Sequence, residues 1–288
     1  MDFPTLGRDL ICESYQAKNM RQLAVITGAT RGLGLALTQR LLAEGLRVVA
    51  IGRRLDNLKS QKEEYGSALR TMSAELGTHD GIRAASCDLR HVVKGEQVHY
   101  LVNCAGIITP IGPITTIDLA DFLQLMNVNF FAAFQLINVL IPQFADGARV
   151  LSVSSRAAEL HLPGLGMYCV SKAALESLTG SYQVELAKVS VSTCVPGEVD
   201  TDMQSDLRSG PQSPSSDPDS LGGFFDQQFF LKNKARLIPP AISARFLYWL
   251  LTGPDSEEFE AKRPWTIYDQ EVQPRWLEKG EAFSYECP

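Results

Sequence analysis

The sequence predicts an α/β protein in which a doubly wound, parallel sheet is flanked by helices. Three observations carry this reading. Short runs rich in Val and Ile recur along the chain without polar alternation, as strands covered on both faces must. Longer amphipathic stretches separate them, which is the rhythm of βαβ units. A glycine-rich turn at residues 27–34 joins the first run to the first amphipathic stretch.

Strands are expected at 22–27, 47–52, 82–87, 99–103, 148–153 and 190–195, with a weaker one at 265–268. Apolar residues at three- and four-residue spacing predict helices over 33–45, 55–75, 119–141 and 168–187. The pattern gives one domain over 21–270, preceded by an extension (1–20) and followed by a tail (271–288). Placing a strand at 82–87 leaves little room for a helix between Asp88 and Asn103, since a crossover needs at least about 10–12 residues. Residues 209–223, rich in Pro, Ser and Gly, read as a loop. It is either a surface insertion or part of a substrate flap at about 205–235.

Composition excludes several classes. The 288 residues carry 27 Lys+Arg against 33 Asp+Glu, a net charge of -6, and 45% are hydrophobic. That is too apolar for disorder and lacks the basic stripe of a nucleic-acid binder, so no nucleic-acid partner is expected. The longest apolar stretches, 130–142 and 237–251, are interrupted by polar residues and prolines, so no membrane span is expected. Cysteines 12, 87, 104, 169, 194 and 287 form no C-x-x-C pair, and the start shows no basic-plus-apolar signal pattern. Reduced thiols in a cytoplasmic protein are expected. The histidines at 79, 91, 99 and 161 are isolated, so no metal site is expected.

In the turn Thr27-Gly28-Ala29-Thr30-Arg31-Gly32-Leu33-Gly34, the glycines permit a tight bend. They also let backbone N–H groups and a helix N-terminus approach a pyrophosphate, as in Rossmann-type domains. Gly28, Thr30, Arg31, Gly32, Leu33 and Gly34 are thus the candidate phosphate cradle; an ordinary Gly-rich turn is the alternative. The second strand ends in Arg53-Arg54. A carboxylate at this point would bind the ribose 2′-OH of NAD, whereas arginine pairs with a 2′-phosphate. NADP(H) is therefore expected over NAD(H), with Arg31 reaching the same phosphate from the other side. Solvated charge at a strand end is the competing reading.

Tyr168 and Lys172, four residues apart, share one helical face. The ammonium is expected to lower the phenol pKa, fitting Tyr168 to exchange a proton with a carbonyl oxygen. The spacing alone is weak, but its surroundings add to it. The strand ending in Ser154-Ser155 places hydroxyls where open α/β sheets bind ligands, and Ser155 is expected to donate to the substrate oxygen. Asn103-Cys104-Ala105-Gly106 ends another strand in small residues that admit a nicotinamide ribose. Asn129, a poor helix former on an apolar helical face, is either a satisfied core amide or the holder of a water beside Lys172. His161 and Leu162 follow in a Pro/Gly loop; together with Glu198 they are candidates for the substrate pocket.

These motifs together resemble the short-chain dehydrogenase/reductase family over about residues 21–270. The resemblance rests on the T-G-x-x-x-G-x-G turn, the N-C-A-G strand end, and the Asn129, Ser155, Tyr168 and Lys172 set with 13 residues from Ser to Tyr. It implies that Asp88-Leu89 contact the adenine, that Asn103, Ala105 and Gly106 lie by the cofactor ribose, and that Lys172 tunes Tyr168 and holds that ribose. It also implies cofactor contacts for Pro196, Gly197, Val199, Thr201 and Met203, and a homodimer built on helices 119–141 and 168–187, with a tetramer as the alternative. Pro196 to Gln204, the Met167-Tyr168-Cys169 step and Trp265 to Asp269 are similar to the sepiapterin reductase and benzil reductase branch, which reduces vicinal dicarbonyls with NADPH. Thr266 stands where sepiapterin reductase carries a pterin-anchoring aspartate. The expected activity is therefore reduction of an α-diketone or other small carbonyl compound. An NADP-dependent alcohol dehydrogenase and a non-catalytic NADP(H) sensor are the alternatives.

Overall fold

A computed structural model describes residues 22–208 and 237–285; the 1–20 extension and most of the 205–235 segment lie outside them. The strands are β1 (Leu23–Thr27), β2 (Arg47–Gly52), β3 (Leu69–Ser73), β4 (Val98–Asn103), β5 (Phe144–Val153), β6 (Val189–Val195) and β7 (Trp265–Thr266). They form one parallel sheet in the order β3-β2-β1-β4-β5-β6-β7. The order reverses between β1 and β4, so a crevice opens at the carboxyl ends of these two strands, where such sheets bind ligands. All five residues of β1 and all seven of β6 are buried, as their unalternating sequences require.

The helices are α1 (Gly32–Ala43), α2 (Lys59–Tyr65), α3 (His79–Val92), α4 (Leu119–Met126), α5 (Ala132–Leu140), α6 (Gly166–Glu185), α7 (Asp202–Arg208), α8 (Pro240–Thr252), α9 (Ser256–Ala261) and α10 (Gln273–Trp276). On one face of the sheet, Leu37 and Leu41 of α1 pack with Phe246, Leu247 and Leu250 of α8. On the other, Ile82 and Leu89 of α3 pack with Leu136 and Leu140 of α5 and Tyr182 of α6. Each fully buried side chain of this kind contributes about 1.5–3 kcal/mol of transfer free energy. Within the tail expected at 271–288, Trp276 lies tilted against Phe246 with ring centroids 5.5 Å apart and joins the first core.

The third strand is the main correction. Residues 82–87 belong to α3, where Ile82, Ala85, Ser86 and Leu89 make one buried face and the Thr78 hydroxyl caps the start by accepting from Gly81 N–H. The strand is Leu69–Ser73, inside the stretch predicted as a helix over 55–75. As an edge strand it buries only Leu69 and Met72, so it lacks the continuous apolar signature of its neighbours. The cramped crossover vanishes with it, because α3 fits between β3 and β4.

The run Leu119–Gln143 is long and apolar enough to cross a membrane by hydropathy, with a mean of 1.5. It is nonetheless the connection between β4 and β5, and α5 buries Leu136, Ile137 and Leu140 against the sheet. Its middle is a π-helical turn at Asn127–Phe131, a rare geometry concentrated at functional sites.

Candidate active site

A cavity of about 370 Å³ lies over the carboxyl ends of β1, β2, β4 and β5. Gly28 turns the chain at φ +68, and a Cβ there would come within 2.9 Å of the Ala105 backbone. At Gly34 a Cβ would sit 2.2 Å from the Gly28 carbonyl oxygen. Both positions therefore need glycine, and the α1 N-terminus points its free N–H groups into the cavity. Thr30, Arg31, Gly32 and Leu33 line the same wall. Thr27 Oγ1 accepts from the N–H groups of Cys104 and Ala105, which fastens the glycine turn to the end of β4.

Arg31, Arg53 and Arg54 all line the cavity. Arg31 pairs with Asp202 at 3.2 Å, and Arg53 lies 3.9 Å from Glu75. Asn57, which the sequence reading missed, lines it too and donates to the Thr30 carbonyl at 2.8 Å. Asp88 and Leu89 do not belong here. They lie in α3, Asp88 exposed and Leu89 in the core, whereas Glu75 and Leu76, just beyond β3, line the cavity. The signal was the Ala-Glu-Leu-Gly step directly after β3, hidden by the misplaced strand.

Ser155, Tyr168 and Lys172 line the same cavity. Ser155 follows β5 in extended conformation and caps a short 3-10 turn, its hydroxyl accepting from Ala157 N–H. One turn into α6, Tyr168 is buried beneath it, with Lys172 a turn further on and its Nζ 5.7 Å from the phenol ring centroid. Lys172 Nζ donates to the Val153 carbonyl at 2.8 Å.

The electrostatics differ from the sequence expectation. Burial pushes the Tyr168 phenol up to about 12, while its hydrogen bond with Ser155 opposes that and the Cys169 thiol adds to it. Burial pushes Lys172 down to about 8, against the pull of Cys104, Cys194 and Glu176. Desolvation, not the ammonium, therefore dominates the Tyr168 shift.

Asn129 sits in the π-helical turn, fully engaged. Its Oδ1 accepts from Ile107 N–H, and its Nδ2 donates to the Ile107 carbonyl and the Ser171 hydroxyl, all within 3.0 Å. The side-chain amide is thus satisfied, and it ties the π-helical turn to Ile107 on the cavity wall. Ala105, Gly106, Pro196, Val199, Thr201 and Met203 line the cavity. Asn103 does not line it; it is buried at the end of β4 and donates to Ser152 Oγ at 3.2 Å. Gly197, His161, Leu162 and Glu198 are also outside the lining. His161 is exposed, and Leu162 packs on the apolar cluster around Tyr168.

The residues present fit a dinucleotide. Gly28 and Gly34 let backbone pack on backbone too closely for a Cβ, which holds the tight turn that lines the cavity. In addition, the buried Ser154 hydroxyl and Gln204 Oε1, both on the cavity wall, have no hydrogen-bond partner among the described residues. Among the described residues no group of His, Cys, Asp and Glu could hold a metal ion.

A doubly wound sheet with a phosphate cradle at its switch point and a Ser/Tyr/Lys group at the far end defines a nicotinamide-dependent oxidoreductase. The chain belongs to the short chain dehydrogenase family, whose pattern it matches over residues 22–212. Benzil reductase ((S)-benzoin forming) of Bacillus cereus is 28% identical over 245 residues, 82% of this chain and 94% of the relative. Sepiapterin reductase of Bos taurus is 30% identical over 268 residues, 87% and 96%. Both lie in the branch that the sequence resembles. The crystal structure of a short chain dehydrogenase/reductase from Saccharomyces cerevisiae superimposes with a TM-score of 0.77 at 24% identity, covering 89% of this chain and 100% of that one.

Proposed function

We propose that the protein is an NADPH-dependent carbonyl reductase acting on a small ketone, aldehyde or vicinal diketone. The observation that carries this reading is that one cavity is lined by three arginines together with Ser155 and the buried Tyr168 and Lys172. The arginines match a 2′-phosphate, and relatives named for benzil and sepiapterin support a carbonyl substrate. Bound cofactor would supply the hydride. The chain's own residues do the rest. Ser155 donates a hydrogen bond to the substrate oxygen, and Tyr168 gives that oxygen its proton. Lys172 stabilises the phenolate left behind and reaches toward the cofactor ribose. The apolar lining residues Ile107 and Met203 suit an uncharged substrate body. The test is NADPH absorbance in single turnover with benzil, diacetyl and sepiapterin, where Tyr168→Phe should bind NADPH and not oxidise it. Turnover by that variant would refute the assignment; turnover only with an alcohol and NADP would favour the oxidative direction.

We further propose a cytoplasmic homodimer. The described cysteines are free thiols, in keeping with a reducing compartment. Leu119, Leu123, Phe131 and Phe134 on the α4–α5 connection and Val170 and Val184 on α6 are large exposed apolar side chains, suited to a seam between copies. Sedimentation of Val184→Glu beside wild type tests this, with a monomer expected for the variant.

A further inference from the structure

We propose that Tyr268 and Glu198 form a positioning pair that sets the cavity wall facing the glycine turn, and that the C-terminal segment thereby becomes part of the active site. The inference rests on reading the cavity as the NADPH site. The wall is the loop 196–201. Pro196, Val199 and Thr201 line the cavity, and Thr201 Cγ2 lies 2.9 Å from where a Cβ on Gly32 would stand. A shift of this loop therefore changes the gap between the phosphate cradle and the proton donor.

The loop is threaded between two supports. Gly197 takes φ +83, and a Cβ there would come within 2.4 Å of Ile238 and 3.0 Å of Tyr268 Oη. On the Ile238 side the bonds are main-chain: Ile238 N–H donates to the Glu198 carbonyl and Asp200 N–H to the Ile238 carbonyl, each at 2.9 Å. On the other side a single phenol does the work. Tyr268 Oη accepts from Glu198 N–H at 3.3 Å and donates to the Glu198 carboxylate. Glu198 is half-buried, and burial raises its pKa against the opposing pull of Tyr268 and Arg156. Tyr268 is itself held edge-on by Phe283 at 6.0 Å, which packs on Trp276 at 5.6 Å. Aromatic contacts thus run from the tail to the loop.

The test uses Tyr268→Phe, Glu198→Ala, Glu198→Gln and Phe283→Ala in the full chain, reading kcat, KM, the melting temperature without cofactor, and the fluorescence of bound NADPH. Tyr268→Phe and Glu198→Ala should lower kcat about tenfold and weaken bound-NADPH emission, while NADPH affinity, set mainly at the glycine turn, changes less than about threefold. Glu198→Gln keeps an acceptor for the phenol and should recover most of what Glu198→Ala loses. Phe283→Ala should show the same signature in weaker form. Unchanged kcat and emission in Tyr268→Phe, even with a lower melting temperature, would overturn the proposal, and so would a Glu198→Gln variant as impaired as Glu198→Ala. Failure of the cofactor reading would look different: the wild-type chain itself would give no change in NADPH emission.

Discussion

The two ends of the cavity recognise by opposite means. At the glycine turn the site is made by leaving side chains out, and its charged groups, Arg31, Arg53 and Arg54, stand in solvent. At the Tyr168 end it is made by burying side chains, and the pKa shifts of Tyr168 and Lys172 follow from that burial. Exposed charge is screened and stabilises the fold little, yet it can sort one dinucleotide from another. Buried charge costs stability and creates reactivity. On the proposed function, one end selects and the other reacts.

Four substitutions probe this contrast. Tyr168→Phe should be the most damaging, lowering kcat by roughly a thousandfold while NADPH titration by fluorescence stays near wild type, since general acid catalysis is worth about 10²–10⁴. Gly34→Ala should come next. Its Cβ would collide with the Gly28 carbonyl, so binding of NADPH and NADH should fall together, with a stability loss of about 1–3 kcal/mol in urea titration. Arg54→Ala should weaken NADPH about tenfold (~1.4 kcal/mol) and leave NADH unchanged, and raised salt should shrink the difference. Equal weakening of both cofactors would remove the selective role of that end.

The smallest effect is on stability against pH. Lys172 titrates near 8 when folded and near its ordinary 10.5 when unfolded. Between these values the unfolded chain binds the extra proton, so the stability of the wild type gains as pH rises through that window. The melting-temperature difference, wild type minus Lys172→Met, should therefore grow from pH 8 toward 10.5. A flat difference would mean that Lys172 does not carry the burial cost assigned to it.

Local motifs were legible in the sequence because short-range chemistry makes them. The glycine turn is read from backbone need, and Ser155, Tyr168 and Lys172 from a strand end and one helical face. What depended on long-range neighbours was not legible. Leu69–Ser73 forms a strand only because β2 is there to pair with it, and α3 was read as a strand because Ile82, Ala84, Ala85 and Cys87 make a short, mostly apolar stretch that both periods fit. That error put the expected adenine contact at Asp88-Leu89, whereas Glu75 and Leu76 are the residues that line the cavity. The direction of the Tyr168 shift was missed for a related reason: spacing shows the ammonium but not the burial that outweighs it. The Glu198–Tyr268 pair joins residues 70 apart that no pattern links.

Asn129 behaves as a detached piece of β-strand. Its amide meets the N–H and the C=O of Ile107 at once, as a neighbouring peptide group would. Only an amide can do this, because it carries a donor and an acceptor on one plane. Substitution by aspartate would keep the acceptor and replace the donor with a second acceptor, facing the Ile107 carbonyl with like polarity. A change of one atom's polarity would therefore unfasten the cavity wall with almost no change in the size or shape of the side chain.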